Sequence, residues 1–327
     1  MKNRKKQLLA VLSDGEFHSG QDLAVFTGIS RTAVWKHLRS LCESGLEIDP
    51  VRGKGYRLRQ TLELLDADRI RDNLASGIRS LPVQIDVLFE TESTNEYLLQ
   101  RFSGASLSGR VVLAEYQTAG RGRGGNQWLA APASSICLSL GWHFDSGPDS
   151  LTALSLAVGV AVAEALDRAG CRGIGLKWPN DIVVDGAKLG GILIESRAQN
   201  AGAWDVVIGI GINIHLPADL ADSIGRHVTD VARMLAPSPP RRNELAADTI
   251  NHALSMLGTF GEQGFAPFME RWRALDYTRG KTVRLLQANT ECTGQVIDID
   301  DKGMLIMSIN GERKKFSSGE VSLKLQT

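Results

Sequence analysis

Residues 117 to 128 read Gln-Thr-Ala-Gly-Arg-Gly-Arg-Gly-Gly-Asn-Gln-Trp, and the two cations of this stretch are Arg121 and Arg123. Glycine at this density disfavours a helix or a packed strand, because it loses much backbone entropy on ordering and offers no side chain to bury. The same glycines let a loop close around an anion, with guanidinium and backbone N–H groups directed inward. The stretch therefore predicts an anion-binding loop. Basic glycine-rich loops that bind no ligand are also common, so this stretch alone does not establish a binding site.

Three later stretches combine glycine with polar or cationic residues. They read Lys-Trp-Pro-Asn-Asp at 177–181, Lys-Leu-Gly-Gly-Ile-Leu-Ile-Glu at 188–195 and Gly-Ile-Gly-Ile-Asn at 209–213. Lys177 ends an apolar strand and Lys188 begins one, and a lysine in a core strand is costly unless its ammonium meets an anion. Either lysine alone could instead extend its ammonium to solvent. The glycines of the last two stretches predict places where backbone borders a ligand.

A cluster of small polar residues, Ser93-Thr94-Asn95, follows a predicted strand at 87–91. Together with the glycine–arginine loop and the two lysines, it predicts a pocket with an apolar wall, small hydrogen-bonding groups and several cations. Such a pocket suits a long apolar molecule that ends in a carboxylate and is handled together with a nucleotide phosphate.

Composition places limits on the class of protein. With 327 residues the chain is long enough for two or three domains, and its 37 basic and 37 acidic residues give no net charge. The first sixty residues nevertheless hold eleven Lys and Arg against six Asp and Glu, which predicts a nucleic-acid partner for this segment. The four cysteines lack metal-ligand spacing and indicate a reducing compartment. With no secretory signal and no apolar run of the roughly 20 residues that a membrane span needs, the sequence predicts a cytoplasmic protein.

The first sixty residues have the rhythm of a winged helix-turn-helix domain. Ser19 and Ser30 are helix N-caps on either side of the turn at 27–28, and a glycine-containing strand pair at 46–58 follows. One face of the third helix can then enter a major groove. A charged, solvated helix on a purely structural domain is the alternative. The predicted DNA-binding residues are Ser30, Arg31, Thr32, Trp35, Lys36 and Arg39 on the helix and Arg52 and Lys54 on the wing.

The whole pattern predicts an α+β multidomain chain. We expect the winged helix-turn-helix domain at 1–62, a linker at 63–82, a mixed α/β catalytic domain with a largely antiparallel sheet at 83–275 and a small β-barrel at 276–327.

In this order the five motifs closely resemble those of biotin–protein ligases, and the wing-bearing N-terminal domain resembles the bifunctional kind that also represses the biotin operon. The resemblance implies a class II synthetase-like catalytic domain and an SH3-like C-terminal barrel. It implies that ATP activates biotin to biotinyl-5′-AMP, with Mg²⁺, and that biotin then passes to a lysine of the biotin carboxyl carrier protein of acetyl-CoA carboxylase. It further implies that the adenylate acts as corepressor and that two chains dimerise on palindromic operator DNA.

The same resemblance assigns site residues. The implied catalytic residues are Arg121, Arg123 and Lys188, with no metal ligand among the side chains. Biotin-binding positions are Ser93, Thr94, Asn95, Gln117, Arg121, Gly122, Arg123 and Lys188. Nucleotide-binding positions are Lys177, Asn180, Asp181, Asn213, Arg284 and Lys324. Asn180 and Asp181 could instead cap the turn after Pro179, and we expect Trp128 to be a packing residue that anchors the loop.

The chain departs from the family pattern in two places. Relatives often carry more basic residues after the Gly-Arg-Gly-Arg core, whereas this chain has Gly-Gly-Asn-Gln at 124–127, so we expect a more mobile loop and weaker retention of the adenylate. Some relatives cover the adenine with a tryptophan, for which the nearest match here is 225–227. Two alternatives stay open, a lipoate–protein ligase and a repressor that senses biotin without catalysis.

Overall fold

The computed structural model describes residues 4–145, 147, 151–225, 227–238, 241–287, 290–317 and 321–325. Within these ranges, the side chains of residues 201, 287, 290 and 321–325 are not described.

The N-terminal unit has three helices and a two-stranded wing. Ser19 and Ser30 are the N-caps of the second and third helices, their hydroxyls accepting from Asp22 N and Ala33 N. Gly28 ends the second helix with a φ of 66°, a left-handed conformation that glycine adopts without strain. The predicted helix-turn-helix and its wing are therefore confirmed. The elements are α1 (Arg4–Leu12), α2 (Gly20–Thr27), α3 (Arg31–Glu43), β1 (Ile48–Val51) and β2 (Gly55–Leu58).

Residues 63–82, predicted as a linker, contain two short helices, α4 (Ala67–Asp72) and α5 (Ser76–Arg79). Leu65, Ile70 and Leu74 are buried in the main hydrophobic core of the molecule. The segment therefore packs against the catalytic unit. The predicted domain boundaries remain predictions.

The catalytic unit is built on a seven-stranded sheet in the order β3-β4-β5-β9-β8-β7-β6. Only the β3–β4 pair is parallel, which agrees with the largely antiparallel sheet that the sequence predicts. The strands are β3 (Gln84–Thr91), β4 (Arg110–Gln117), β5 (Ser135–Phe144), β6 (Ile174–Lys177), β7 (Asp181–Val184), β8 (Ala187–Ala198) and β9 (Trp204–Asn213).

The helices of this unit include α7, an almost wholly buried helix that packs against α10 and against the sheet. Because α7 is apolar on nearly every side, it lies between these two layers of the core. The sequence analysis did not predict α6, α8, α9 or α11. The helices are α6 (Thr94–Arg101), α7 (Leu151–Arg168), α8 (Ala218–Ser223), α9 (Val231–Leu235), α10 (Arg242–Gln263) and α11 (Ala266–Leu275).

The C-terminal unit is a five-stranded antiparallel sheet in the order β13-β12-β11-β10-β14. Asn310-Gly311, a residue pair typical of two-residue hairpin turns, joins two of its strands with positive φ angles of 52° and 85°. The strands are β10 (Thr282–Gln287), β11 (Thr290–Ile299), β12 (Leu305–Ile309), β13 (Glu312–Phe316) and β14 (Val321–Leu325).

Both terminal units contact the catalytic unit close to the motifs. Phe89 of β3 is buried within the hydrophobic cluster of the N-terminal unit, and Lys5 pairs with Glu90 at 3.4 Å. On the other side, the Trp178 indole donates to the carbonyl of Gly303 at 3.0 Å. The catalytic unit therefore contacts the N-terminal unit beside one group of motifs and the C-terminal sheet beside another.

Candidate active site

The Ser93-Thr94-Asn95 cluster forms the start of α6, and all three residues are buried. Ser93 is the N-cap, so its hydroxyl faces the first turn of the helix. The backbone N–H of Thr94 donates to the amide oxygen of Gln117 at 2.7 Å, and the Thr94 hydroxyl lies 3.1 Å from the same oxygen. Four of the predicted biotin-binding residues are therefore joined at one place, where α6 meets the end of β4.

Ser139 is a member of this cluster that the sequence analysis missed. Its hydroxyl lies 2.7 Å from Thr94 Oγ1 and 2.6 Å from Asn95 Oδ1. Ser139 pairs with Gly209 across the sheet, and a Cβ at Gly209 would come within 2.5 Å of Asn95 Oδ1. The glycine thus makes room for the Asn95 amide, and the signal for Ser139 was a hydroxyl inside the apolar run at 136–140.

Two carboxylates connect this cluster to the glycine–arginine loop. Glu195 Oε2 on β8 accepts from Asn95 Nδ2 at 2.8 Å and from Arg121 Nη2 at 2.9 Å. Arg121 Nη2 also lies 3.0 Å from Glu96 Oε2. The sequence analysis assigned no role to either glutamate, and the structure places both in direct contact with a predicted catalytic residue.

The glycine–arginine loop is closed by its own backbone. Gly122 N donates to Asn126 O at 2.7 Å, and Trp128 N donates to Gly120 O at 2.9 Å. A Cβ at Gly120 would lie 2.5 Å from the Trp128 carbonyl oxygen, so this close approach requires glycine. The Trp128 ring packs on Gly211 of β9, where an added Cβ would lie 2.7 Å from the ring. Trp128 therefore anchors the loop to the sheet, as the sequence predicts.

Lys188, Asp181 and Arg123 form the second, charged part of the site. The Lys188 ammonium at the start of β8 donates to Asp181 Oδ1 on β7, and both side chains are largely buried. Burial lowers the pKa of the half-buried Arg123 guanidinium, and the negative charge of Asp181 opposes this shift. The predicted cations at 123 and 188 thus share a carboxylate neighbour, which brings the loop and β8 together.

Among the remaining predicted nucleotide-binding residues of the catalytic unit, Asn180 and Asn213 donate side-chain hydrogen bonds to backbone carbonyls. The Asn180 side chain donates to Ile192 O at 2.8 Å, and Ile192 N donates to Asn180 O at 2.9 Å. The Asn213 side chain donates to Thr229 O at 3.1 Å. Lys177 is half-buried at the end of β6. Asn180 thus fastens the turn before β7 to β8, which is the structural alternative stated for it.

The two predicted nucleotide contacts of the C-terminal unit face each other in the sheet. Arg284 on β10 pairs with Lys324 on β14, and the Arg284 guanidinium lies 3.3 Å from Glu291. The side chain of Lys324 lies outside the described residues, as does Arg226 in the segment 225–227.

The predicted DNA-binding residues are all exposed side chains of the N-terminal unit. On α3 the exposed residues alternate with the buried Val34, Leu38 and Leu41, which face the core. The Arg39 guanidinium lies over the Trp35 ring at 5.6 Å and pairs with Glu43 at 2.9 Å. All eight are exposed, namely Ser30, Arg31, Thr32, Trp35, Lys36 and Arg39 on or next to α3 and Arg52 and Lys54 at the wing.

Comparison with known proteins agrees with this arrangement. Residues 88–213 match the Biotin/lipoate A/B protein ligase family, residues 4–57 match an HTH domain and residues 278–324 match the Biotin protein ligase C terminal domain. The bifunctional ligase/repressor BirA of Salmonella typhimurium is 38% identical over 317 residues, which span 97% of this chain and 96% of the relative. The chain belongs to the family of bifunctional biotin ligase/repressors. Another member of this family, BirA of Escherichia coli, is 36% identical over 97% of this chain and 96% of its own length.

A solved structure supports the catalytic fold of this ligase/repressor. The biotin protein ligase from Aquifex aeolicus in complex with biotin and ATP superposes with a TM-score of 0.64 at 26% identity. It covers 74% of this chain and 99% of the Aquifex chain. None of the helices in the described part of the chain is long and apolar enough to cross a membrane.

Proposed function

We propose that this ligase/repressor attaches biotin to a lysine of the biotin carboxyl carrier protein of acetyl-CoA carboxylase and represses the biotin operon with biotinyl-5′-AMP as corepressor. One observation carries the catalytic half of this proposal. A continuous hydrogen-bonded path runs from Thr94 through Ser139, Asn95 and Glu195 to Arg121, so the polar cluster and the glycine–arginine loop form a single site.

The buried polar cluster suits the ureido ring of biotin. A cyclic urea offers two N–H donors and one carbonyl acceptor, and Ser93, Thr94, Asn95 and Gln117 supply hydroxyl and amide groups at the start of α6. Buried polar groups of a ligand need such partners, because an unmade hydrogen bond costs about 1–3 kcal/mol. Gly122 lies in the closed loop, where its backbone can border the ligand.

The charged part of the site suits the first half-reaction. A carboxylate oxygen of biotin attacks the α-phosphorus of ATP, the bond to the bridging oxygen breaks, and pyrophosphate leaves. Negative charge develops on the phosphoryl oxygens, and fixed cations in a partly desolvated place stabilise it. Arg123 and Lys188 have this character, since both are partly or largely buried beside Asp181. Arg121, together with these two, is the proposed catalytic set.

The second half-reaction depends more on the orientation of the bound adenylate than on a strong acid or base of the protein. The amine of the carrier lysine attacks the acyl carbon of the mixed anhydride, an amide bond forms and AMP leaves. Holding the adenylate in one orientation supplies the effective concentration for this step. We propose that Lys177, Asn180, Asp181 and Asn213 border the nucleotide, and that the C-terminal unit closes as an SH3-like barrel that brings Arg284 and Lys324 to it.

In this proposal, Mg²⁺ binds together with ATP as part of the substrate. It is held in such sites by one or two carboxylates and by the phosphates of the nucleotide. Asp181 is the carboxylate that stands beside both Lys188 and Arg123, and its acceptor oxygens fit this requirement. Asp181, to which the sequence analysis gave no metal-binding role, would then help to hold the Mg²⁺ that accompanies ATP, and this ion would neutralise part of the phosphate charge.

In the proposed repressor function, the exposed side chains of α3 and the wing contact DNA. We propose that α3 enters the major groove of a palindromic operator and that two chains dimerise once the adenylate is bound. The excess of positive charge in the first sixty residues supports binding to phosphates.

The deciding experiment supplies the protein with ATP, Mg²⁺ and either biotin or lipoate and detects the acyl-AMP by mass spectrometry. Biotinyl-AMP, followed by biotin on the carrier lysine, is the expected result. Lipoyl-AMP alone would make the chain a lipoate–protein ligase. Biotin-dependent DNA binding without any adenylate would make it a sensor without catalysis.

A further inference from the structure

We propose that Glu195 is a positioning residue of the ligase site, which ties Asn95 and Arg121 together and so holds the glycine–arginine loop closed over the biotin pocket. This inference rests on the proposed ligase function. Neither the sequence motifs nor the chemistry of the two half-reactions assigns a role to Glu195.

Glu195 occupies a fixed point between two less constrained segments. It lies within β8, where it pairs with Val207 of β9 in the middle of the sheet. Asn95 lies in the first turn of α6, and Arg121 lies in a loop whose nearest strand ends at Gln117. A contact with a central strand therefore restrains the helix start and the loop to the same place.

The geometry makes a single carboxylate oxygen the meeting point. Glu195 Oε2 accepts from Asn95 Nδ2 at 2.8 Å and from Arg121 Nη2 at 2.9 Å. The second hydrogen of the Asn95 amide is directed to Leu193 O at 3.2 Å, while Asn95 Oδ1 faces the Ser139 hydroxyl at 2.6 Å. Every polar atom of the Asn95 side chain is thus engaged, and Glu195 fixes which way the amide points.

Two carboxylates of the protein hold the Arg121 guanidinium. Arg121 contacts the carboxylates of both Glu195 and Glu96, so its charge is compensated inside the protein before any ligand arrives. A charge-assisted contact of this kind is about twice as strong as a neutral hydrogen bond and restrains the guanidinium. We infer that the Arg121 side chain holds the loop closed in addition to its proposed role toward the ligand.

Loss of Glu195 should therefore open the loop and weaken biotin binding. Glu96 still holds Arg121 in a Glu195→Ala variant, so we expect the KM for biotin to rise about tenfold, which corresponds to about 1.4 kcal/mol. The KM for ATP should stay within about twofold, because the contacts of Lys188 and Arg123 are unchanged. Glu195→Gln keeps an oxygen that can accept both hydrogen bonds and should recover part of the affinity.

The test compares full-length wild type with the Glu195→Ala, Glu195→Gln, Arg121→Ala and Arg121→Ala/Glu195→Ala variants. The matched control is Glu92→Ala, which removes an exposed acid whose backbone carbonyl, but not its carboxylate, contacts the loop at Ala119. Two quantities are measured, the KM values for biotin and ATP and the rate at which trypsin cuts after Arg123, a cleavage site that every variant keeps, without ligand.

Glu195→Ala should raise the KM for biotin and speed cleavage of the ligand-free loop, and the double variant should be no worse than the more impaired single variant. An unchanged KM for biotin with unchanged cleavage, or fully additive effects in the double variant, would overturn the proposal. If Glu195→Ala does not fold, the comparison of Glu195→Gln with wild type decides. A wild type that forms no biotinyl-AMP contradicts the ligase function, and the cleavage rates then still decide whether Glu195 restrains the loop.

Discussion

Arg242 at the start of α10 forms an ion pair with Glu115 on β4 at 2.9 Å, and both side chains are almost completely buried. The same guanidinium donates to the carbonyls of Ser135 and Glu63, and the carboxylate accepts from Leu65 N. The pair therefore fastens the segment after the wing to the sheet that carries the site.

Replacing Arg242 with Met should destabilise the protein by about 3–5 kcal/mol, because it leaves the Glu115 carboxylate buried without its cation. Urea denaturation measures this change. The control is Arg241→Ala, which removes an exposed guanidinium paired with Glu244 and should cost less than about 1 kcal/mol. Equal effects of the two substitutions would contradict the assigned importance of burial.

Replacing Lys188 with Ala should slow adenylate formation by about 100-fold or more while the fold is retained, because a fixed cation is lost where phosphoryl charge develops. The rate of biotin-dependent pyrophosphate release is the measurement. Lys302→Ala removes an exposed lysine in a turn of the C-terminal unit and serves as control. Normal turnover of the Lys188 variant would mean that its ammonium only balances Asp181.

Replacing Arg123 with Gly should shorten the lifetime of the bound adenylate about tenfold, a loss of about 1.4 kcal/mol. The released biotinyl-AMP should then react with bystander lysines, which an avidin blot of added albumin detects. Gln127→Ala, at an exposed position of the same loop, should label albumin no more than wild type does. Equal retention of the adenylate in both variants would remove Arg123 from the ligand contacts.

Asp276, at the junction with the C-terminal unit, should make stability depend on pH. Burial raises the pKa of its carboxyl, whose Oδ2 has no hydrogen-bond partner among the described residues. Because the folded-state pKa is the higher one, the stabilising contribution is complete below about 3.8 and is lost as pH rises through the folded-state pKa. Asp276→Asn should therefore gain stability relative to wild type between pH 4 and pH 7. Urea midpoints across this range measure the gain, and Asp301→Asn, at an exposed acid, should parallel wild type.

Replacing Lys36 with Ala should reduce the salt dependence of DNA binding. If its ammonium contacts a phosphate, the slope of log K against log salt falls by about 1. Fluorescence anisotropy with a labelled duplex at several salt concentrations measures the slope. Arg271→Ala, on α11 of the catalytic unit, should leave it unchanged. An unchanged slope for the Lys36 variant would place this side chain away from the DNA backbone.

Local signals predicted much of the fold. The helix starts predicted at Ser19 and Ser30 depend on neighbouring residues and are confirmed. The hairpin turns at 185–186 and 310–311 are local in the same way, since Asp-Gly and Asn-Gly adopt the positive φ angles that such turns need. Helix α6 was missed because its N-cap, Ser93, was interpreted only as part of a ligand-binding cluster. A single polar residue can serve both purposes, and the sequence pattern does not separate them.

The cations of the candidate site and Asp181 were predictable from the sequence, whereas Glu195 and Glu96 were not. Glycine-flanked arginines and core lysines are unusual enough to be noticed, whereas Glu195 follows the apolar run at 192–194 in the sequence, where many exposed glutamates also occur. Its role depends on Asn95 and Arg121, which lie 100 and 74 residues away in sequence. Such a contact exists only once β8, α6 and the loop have been brought together by the sheet.

Phe89 has a consequence for how the two activities can be separated. It belongs to a strand of the ligase sheet, yet its ring completes the hydrophobic cluster of the helix-turn-helix unit. A ligase freed of its first sixty residues would present this ring to water, and an isolated helix-turn-helix unit would carry a hole where the ring had been. A version that keeps only the ligase would therefore need a polar residue at position 89. A version that keeps only the helix-turn-helix unit would need larger apolar side chains to fill the space that the ring leaves.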